Sequence, residues 1–380
     1  MTDRDVLLSK KELMVLFNSL IEYGGKDQFK VTLPLLESLS VFQFGIAADG
    51  VKIENFISSD AYAKIHFPLM KRLKDPARKE IPSYSDIRQV LYQSGILKPD
   101  GLDQLEDILQ DLKGQNIIRG GDVYYIALDT NLLRDRFYSV FFKDVSPHPN
   151  LDFILCETVR DELKNRKDKL TRNSLKEMEP LKYEVLMKCF LNQNCLEDRL
   201  RYVGFQEYNR MRSLTSCEEI DAPSARSGTQ NDQYILTAYS DYVDIGRKVV
   251  FLSRDNEAVR MMTGEENVIP LLLEHPYVDQ RTFSPDWKSF FNLLYMLGIL
   301  YGKLDIVSEQ TKICSLYGVW ASKDAQEWAE DMFLLEFYGS PDGNLSKSDD
   351  EPKWRRHLKR NLALLQKLDT ELSGASRVGV

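Results

Sequence analysis

The sequence predicts an α/β protein: a parallel sheet flanked by helices, preceded by a mainly helical region and followed by an α+β region. Three observations lead there. Between Val123 and Leu272, short apolar runs (VYYIAL, LDFILC, KVVFLS and NVIPLL) alternate with longer amphipathic or charged stretches, as strands alternate with the helices that connect parallel neighbours. Two of these runs end at acids, Asp129 and Asp255, and ligands of open parallel sheets sit beyond the carboxyl ends of the strands. The flanking regions lack this alternation.

Residues 1–121 are expected to form the helical region. KKELMVLFNSLIEY carries apolar residues at helical spacing, and residues 1–75 read as mostly helical, with a break at AADG. SYSDIRQVLYQSG and LDQLEDILQDLKG give two more helices, and Asn116 to Ile126 a small hairpin turning at Gly120 and Gly121. Helix, helix and hairpin in that order suggest a winged-helix module, although a helical cap would give the same pattern.

Residues 122–275 hold the expected sheet. VYYIAL ends at Asp129, Thr130 and Asn131. LDFILCE gives a strand to Leu155 and then a helix. A charged helical insertion of two or three helices follows, over about 165–225. SGTQNDQYILTAYSDYVDIG turns and then becomes an amphipathic helix. KVVFLS is a strand of the fully buried type, DNEAVRMMTG a short helix and NVIPLL a last strand. Residues 276–340 read as a helix over Trp287–Tyr301, a strand pair (KLDIVSEQ and KICSLYGVW) and a helix from Ala325 to Phe337. In 341–380, SPDGNLSKSDDEPK is an exposed linker and WRRHLKRNLALLQKL a basic helix that docks through Leu358, Leu362, Leu365 and Leu368.

Composition limits the function classes. Hydrophobic residues make up 43% of the 380, enough for sizeable cores. The net charge of -8 argues against a surface coated with non-specific nucleic-acid affinity, while leaving room for local basic patches. Five cysteines, an odd number without CxxC spacing, favour a reduced, cytoplasmic protein. FFNLLYMLGILYG is shorter than the roughly 20 apolar residues of a membrane span and reads as a core helix. There is no GxxxxGK[ST] loop and no GxGxxG fingerprint. His66, His148, His275 and His357 are scattered, so zinc is poorly supported. No Ser-His-Asp or Cys-His set stands out, and His148, in SPHPN, reads as a loop residue.

Four acids remain as the candidate site: Asp129, Glu162, Asp232 and Asp255. A cluster of carboxylates repels itself unless a cation fills it, and an all-oxygen site suits Mg²⁺ or Mn²⁺. Phosphodiester hydrolysis needs a more acidic water and a counter-charge for the transition state, and a divalent cation supplies both. Asp129 and Asp232 are assigned as direct ligands, with Asp255 beside them. Glu162 is assigned to a second cation or to orienting the water. Thr130, Asn131 and Ser253 are the residues expected to position a carboxylate or a phosphate. The alternative for Asp129 and Asp255 is that each merely caps a helix. Glu157 and Asp161 are expected to be decoys near Glu162, and Asp135 and Asp152 to be solvated.

These acids sit in four motifs, ALDTN, CETVRDEL, NDQYILTAY and FLSRDNE. In order and strand context the set resembles the PIN-domain family of mostly ribonucleolytic α/β domains, over roughly residues 122–275. The resemblance implies a metal-dependent endoribonuclease. RNA rather than DNA as substrate rests on it alone, as does the expectation of a homodimer. Two further classes stay open: a weakly active or inactive PIN-like nucleic-acid-binding or scaffold protein, and a nuclease that acts on DNA, including single-stranded DNA. A protein partner would bind through the N- or C-terminal region.

Substrate contacts are expected from Arg160, Lys164 and Lys167, within a basic stretch from Arg160 to Lys182, and from Arg254 beside Asp255. Arg199, Arg201, Arg210 and Arg212 would extend that surface. Tyr202, Phe205 and Tyr208 interleave with it, and core packing is the better reading for them.

Overall fold

The computed structural model describes residues 5–24, 27–47, 50–75, 77–114, 123–142, 151–164, 195–222, 228–243, 247–277, 279–318, 332–338 and 353–375. The chain divides into two compact units. One gathers Met1–Tyr84 and Asp279–Val380; the other comprises Ser85–Leu170 and Asn194–Val278.

The first unit holds β1 (Asp5–Ser9), α1 (Leu13–Gly24), β2 (Gln28–Leu33), β3 (Leu39–Ala47), β4 (Gly50–Glu54) and α2 (Ser59–Arg72) from the first part of the chain. Residues 1–75, expected to be mostly helical, therefore carry four strands. In β2, Phe29, Val31 and Leu33 are buried and Gln28 and Lys30 are not, the alternation ending at Thr32, which is buried too. That is the period of two of a strand with one face on a core.

Far along the chain, the same unit gains its remaining strands. The second unit supplies the elements in between, and the first resumes with α10 (Trp287–Tyr301), β10 (Lys303–Ser308), β11 (Thr311–Gly318), β12 (Met332–Phe337) and α11 (Lys353–Ala375). The seven strands form one antiparallel sheet in the order β1-β12-β11-β10-β2-β3-β4. The expected helix Trp287–Tyr301 and the strand pair β10–β11 are both present. The helix expected over Ala325–Phe337 is not: Met332–Phe337 is a strand between β1 and β11, and the earlier part lies outside the described residues.

Aromatic rings fill the core of this unit. Phe17 of α1 meets the edge of Phe44 at 5.5 Å between centroids, and Phe44 lies 4.9 Å from Phe290 of α10. Helix α10 approaches β11 through two glycines: a Cβ on Gly318 would stand 2.4 Å from the Gly298 carbonyl oxygen. In α11, Trp354, Leu358 and Leu362 are buried as docking requires, whereas Leu368 is 54% exposed.

The second unit is the expected α/β body. Helices α3 (Tyr84–Ser94) and α4 (Leu102–Gly114) match the two sequence segments. The proposed hairpin at Asn116–Ile126 lies largely outside the described residues, and its last residues belong to β5 (Tyr124–Leu128), a fully buried strand. Then come α5 (Thr130–Arg134), β6 (Leu151–Cys156), α6 (Glu157–Lys164), α7 (Leu196–Arg212), β7 (Cys217–Ile220), α8 (Gly228–Val243), β8 (Lys248–Ser253), α9 (Asn256–Met262) and β9 (Val268–Leu272). All four strand pairings are parallel, in the order β7-β6-β5-β8-β9. Strand β7, CEEI, has no buried residue and sits at the sheet edge, so no apolar run announces it. Of the expected insertion, α7 is described, and 165–194 lies outside the described residues.

This order reverses at the centre. From β5 the chain builds outward through β6 to β7, then crosses back to β8 on the other side of β5. The carboxyl ends of β5 and β8 flank that switch point, where open α/β sheets bind ligands. Asp129 and Asp255 follow these two ends.

Candidate functional site

Asp129 is the most enclosed acid of the four. It caps α5, and its Oδ1 accepts from the Leu132 amide at 2.8 Å. Its Oδ2 accepts from the Ser253 hydroxyl, and the Arg254 amide is a third donor. Three of the roughly four lone-pair directions of a carboxylate are thus used, leaving room for a single-oxygen contact with a further partner. Burial pushes its carboxyl above the usual range, against the pull of Ser253, Leu132 and Arg254 toward the ionised form.

Ser253 links the two central strands. Besides donating to Asp129, its hydroxyl accepts from the Asp255 amide at 2.9 Å. Asp255 in turn caps α9 through the Glu257 amide at 2.8 Å, with its side chain exposed. Both strand-end acids are therefore helix caps, as the simpler reading expected, and both stand at the switch point.

The other two acids reach the same place from helices. Glu162 of α6 is half-buried and accepts from the Thr130 hydroxyl at 2.6 Å. Asp232 of α8 is surface-exposed. Partial burial and then the like charges of Glu162, Asp255, Asp129 and Glu257 push its carboxyl up. Three of the predicted acids, Glu162, Asp255 and Asp129, thus act on the fourth, together with Glu257, an acid outside the expected set. Thr130 and Ser253 each donate to a carboxylate, whereas Asn131 faces solvent.

The acids share a field without forming a finished metal shell. Among the described residues, no three His, Cys, Asp or Glu side chains are close enough to hold a metal ion as they stand. The donor chemistry fits an oxygen-seeking ion that keeps several of its waters, as Mg²⁺ does. It does not form an all-protein cage.

Three comparisons, with family models, with curated proteins and with solved structures, find no match to the chain. The likeness to PIN domains accordingly rests on the four motifs.

The cationic residues are placed differently from expectation. The Arg160 guanidinium is surrounded by Glu157 at 2.6 Å, Glu219 at 2.9 Å and Asp161 at 3.6 Å. Glu157 and Asp161, taken as decoys, are thus its ion-pair partners. Lys164 is exposed and lies over the Phe205 ring at 5.4 Å. Lys167 and His148 lie outside the described residues. The second arginine run does not form a phosphate-binding face: Arg199 and Arg201 are buried, Arg210 pairs with Glu207 at 2.7 Å and Arg212 with Glu219 at 2.9 Å. Tyr202 and Tyr208 are core residues, as expected.

Asp135 is the main correction. Expected to be solvated, it is only 3% exposed. Its Oδ1 accepts from Gln89 Nε2 at 2.6 Å and its Oδ2 from Arg254 Nη1 at 2.6 Å. His275 Nε2 lies 3.5 Å from the same Oδ2. Burial raises the Asp135 carboxyl to about 6, opposed by Arg254 and Gln89. His275 stacks on Tyr92 with centroids 3.8 Å apart and rings 5° from parallel. Burial, and then the Arg254 charge, lower its imidazole to about 3. The one sequence sign of this cluster is that DTNLLRD carries an acid at each end of a short helix. Asp152, also expected to be solvated, is half-buried.

No described helix is long and apolar enough to cross a membrane.

Proposed function

We propose that the chain is a divalent-cation-dependent endonuclease of the PIN type, with RNA as its substrate. The observation that carries this reading is the gathering of Asp129, Asp255 and Glu162 about the switch point of a parallel sheet, through Ser253 and Thr130, with all three charges acting on Asp232. Mg²⁺ or Mn²⁺, when bound, would lower the pKa of a water and offset charge on the phosphate. Asp129 would give one oxygen to the cation, with its carboxylate fixed by Ser253 and Leu132. Asp232 and Asp255, both exposed, would approach from the open side. Glu162, oriented by Thr130, would accept a proton from the attacking water or hold a second cation. Lys164 and Arg254 are the described cations left to meet substrate phosphates.

A catalytically weak nucleic-acid-binding or scaffold protein is the second reading. It is favoured by the lack, among the described residues, of three acids gathered for direct ligation. RNA and single-stranded DNA oligonucleotides incubated with the full chain and Mn²⁺ decide between them. Cleavage of RNA that Asp129→Asn abolishes supports the proposal. Cleavage of DNA alone would move the substrate to DNA, and binding without cleavage would leave the scaffold reading.

A further inference from the structure

Helix α5 carries an acid at each end. Asp129 caps its start and Asp135 its finish, so the two lie roughly 9 Å apart along the helix at 1.5 Å per residue. Arg254 bridges this interval. Its amide is bonded to Asp129, and its guanidinium reaches Asp135 at 2.6 Å with 28% of the side chain exposed. Asp135 is held in turn by Gln89, on α3, and lies against His275, just beyond β9. A buried carboxylate with donors on both oxygens is a fixed anchor. An arginine tied to such an anchor cannot fold over the exposed carboxylates beside it.

We propose that Asp135 is a positioning residue for the carboxylate pocket: it holds the Arg254 guanidinium beside the acids, clear of the cation position and facing the approach of a phosphate. This rests on the nuclease reading of the pocket. It divides the labour between two opposite charges. Arg254 contributes a positive charge that serves an anionic substrate and opposes a divalent cation. Asp135 keeps that charge to one side, so that the cation can still enter. Without Asp135, Arg254 is free to pair with Asp255 or Asp129 and compete with the metal.

The test is a double-mutant cycle on the full chain at pH 8, reading Mn²⁺ affinity by calorimetry with the metal alone, and RNA cleavage separately. Arg254→Gln should tighten Mn²⁺ by about tenfold, the order expected for removing one charge at such a distance near water, and raise KM for RNA. Asp135→Asn should weaken Mn²⁺ severalfold. The double variant should match Arg254→Gln, because Asp135 acts through Arg254. A general effect of local charge would instead return the double variant to the wild-type affinity, which overturns the proposal. If Asp135→Asn alters neither reading while Asp129→Asn abolishes both, the positioning role falls and the nuclease reading stands. If the wild-type chain binds no Mn²⁺, both fall. Should Asp135→Asn fail to fold, Arg254→Gln decides alone: an unchanged Mn²⁺ affinity overturns the proposal.

Discussion

The Ser253 hydroxyl donates to the Asp129 carboxylate and so ties the end of one central strand to the end of its neighbour. The same oxygen accepts from the Asp255 amide. One small side chain thereby sets the spacing of the two strand-end acids. Replacing it with alanine leaves Asp129 Oδ2, in a buried site, without its hydroxyl donor. We expect Ser253→Ala to cost about 1–3 kcal/mol, the usual penalty for a buried polar group that loses its partner. Chemical denaturation would check this, and a loss below about 0.5 kcal/mol would mean water replaces the hydroxyl.

Asp135 and His275 oppose each other in their effect on stability. The Asp135 pKa is raised from 3.8 to about 6. Alone, such a group stabilises the fold fully below 3.8, and that stability is lost as pH rises through about 6. The His275 pKa is lowered from 6.5 to about 3. Alone, it stabilises the fold above 6.5, and that stability is lost as pH falls toward 3. Between the two carboxyl values, folded and unfolded chains hold the same single proton on this pair, so its contribution is flat. Asp135→Asn should unmask the histidine: stability should climb with pH by about 1.4 kcal/mol per unit across this range. His275→Gln should unmask the aspartate and reverse the slope. Melts between pH 4 and 6 would check this, and parallel slopes in all three proteins would refute it.

Much of the second unit was legible because its three central strands are almost wholly buried and its helices amphipathic. Tyr124–Leu128 and Lys248–Ser253 announce themselves as apolar runs, and the acids that follow them mark the site. Asp135 was not legible. Its burial depends on Gln89, Arg254 and His275, which are remote in sequence, and an acid after a short helix looks like any solvated one. The first unit was harder still, because its sheet joins strands that are far apart in the sequence. Met332–Phe337 resembles part of a helix because the partners that make it a strand, Asp5–Ser9 and Thr311–Gly318, leave no mark in its local spacing.

Gly204 lets α7 close on the site's supporting helices. A Cβ there would stand 2.7 Å from Leu163 Cδ2 and 3.2 Å from the Arg134 amide nitrogen. Leu163 adjoins Glu162, and Arg134 adjoins Asp135. Gly204→Ala should cost about 1–3 kcal/mol through overpacking, despite the better helix propensity of alanine. It should also lower cleavage more than stability alone explains, because it moves both α5 and α6. A melt and a cleavage assay on the same preparation would separate the two, and a stabilised, fully active variant would show that α7 yields freely.

Glu207 anchors the segment that follows α5. It is 1% exposed, accepts from the Ser139 amide at 2.9 Å and the Ser139 hydroxyl at 2.6 Å, and pairs with Arg210 at 2.7 Å. Arg136, also buried, lies 3.9 Å away. Truncating one member of a buried charged network leaves the others uncompensated, so Glu207→Ala should lose about 3–5 kcal/mol. The conservative Glu207→Gln keeps two acceptors' worth of geometry on one oxygen and should lose less. Denaturation midpoints of the two variants would rank them, and equal losses would assign the effect to shape rather than charge.

Asp232 offers a direct reading of the cluster without any substrate. Its carboxyl is held up first by partial burial and then by Glu162, Asp255, Asp129 and Glu257. Removing one like charge, by Glu162→Gln or Asp255→Asn, should therefore lower its pKa, and the two changes together should lower it further. Mg²⁺ should lower it more than either, because a divalent cation favours the ionised form. The direction matters for pH dependence: a raised carboxyl means that protons compete with the cation at higher pH than an isolated aspartate would allow, so Mg²⁺ affinity should fall on mild acidification. Carboxyl-carbon NMR of Asp232 across pH, with and without Mg²⁺, would measure each effect. A titration indifferent both to Mg²⁺ and to the loss of Glu162 would show that these acids stand apart, and the metal-dependent reading would lose its basis.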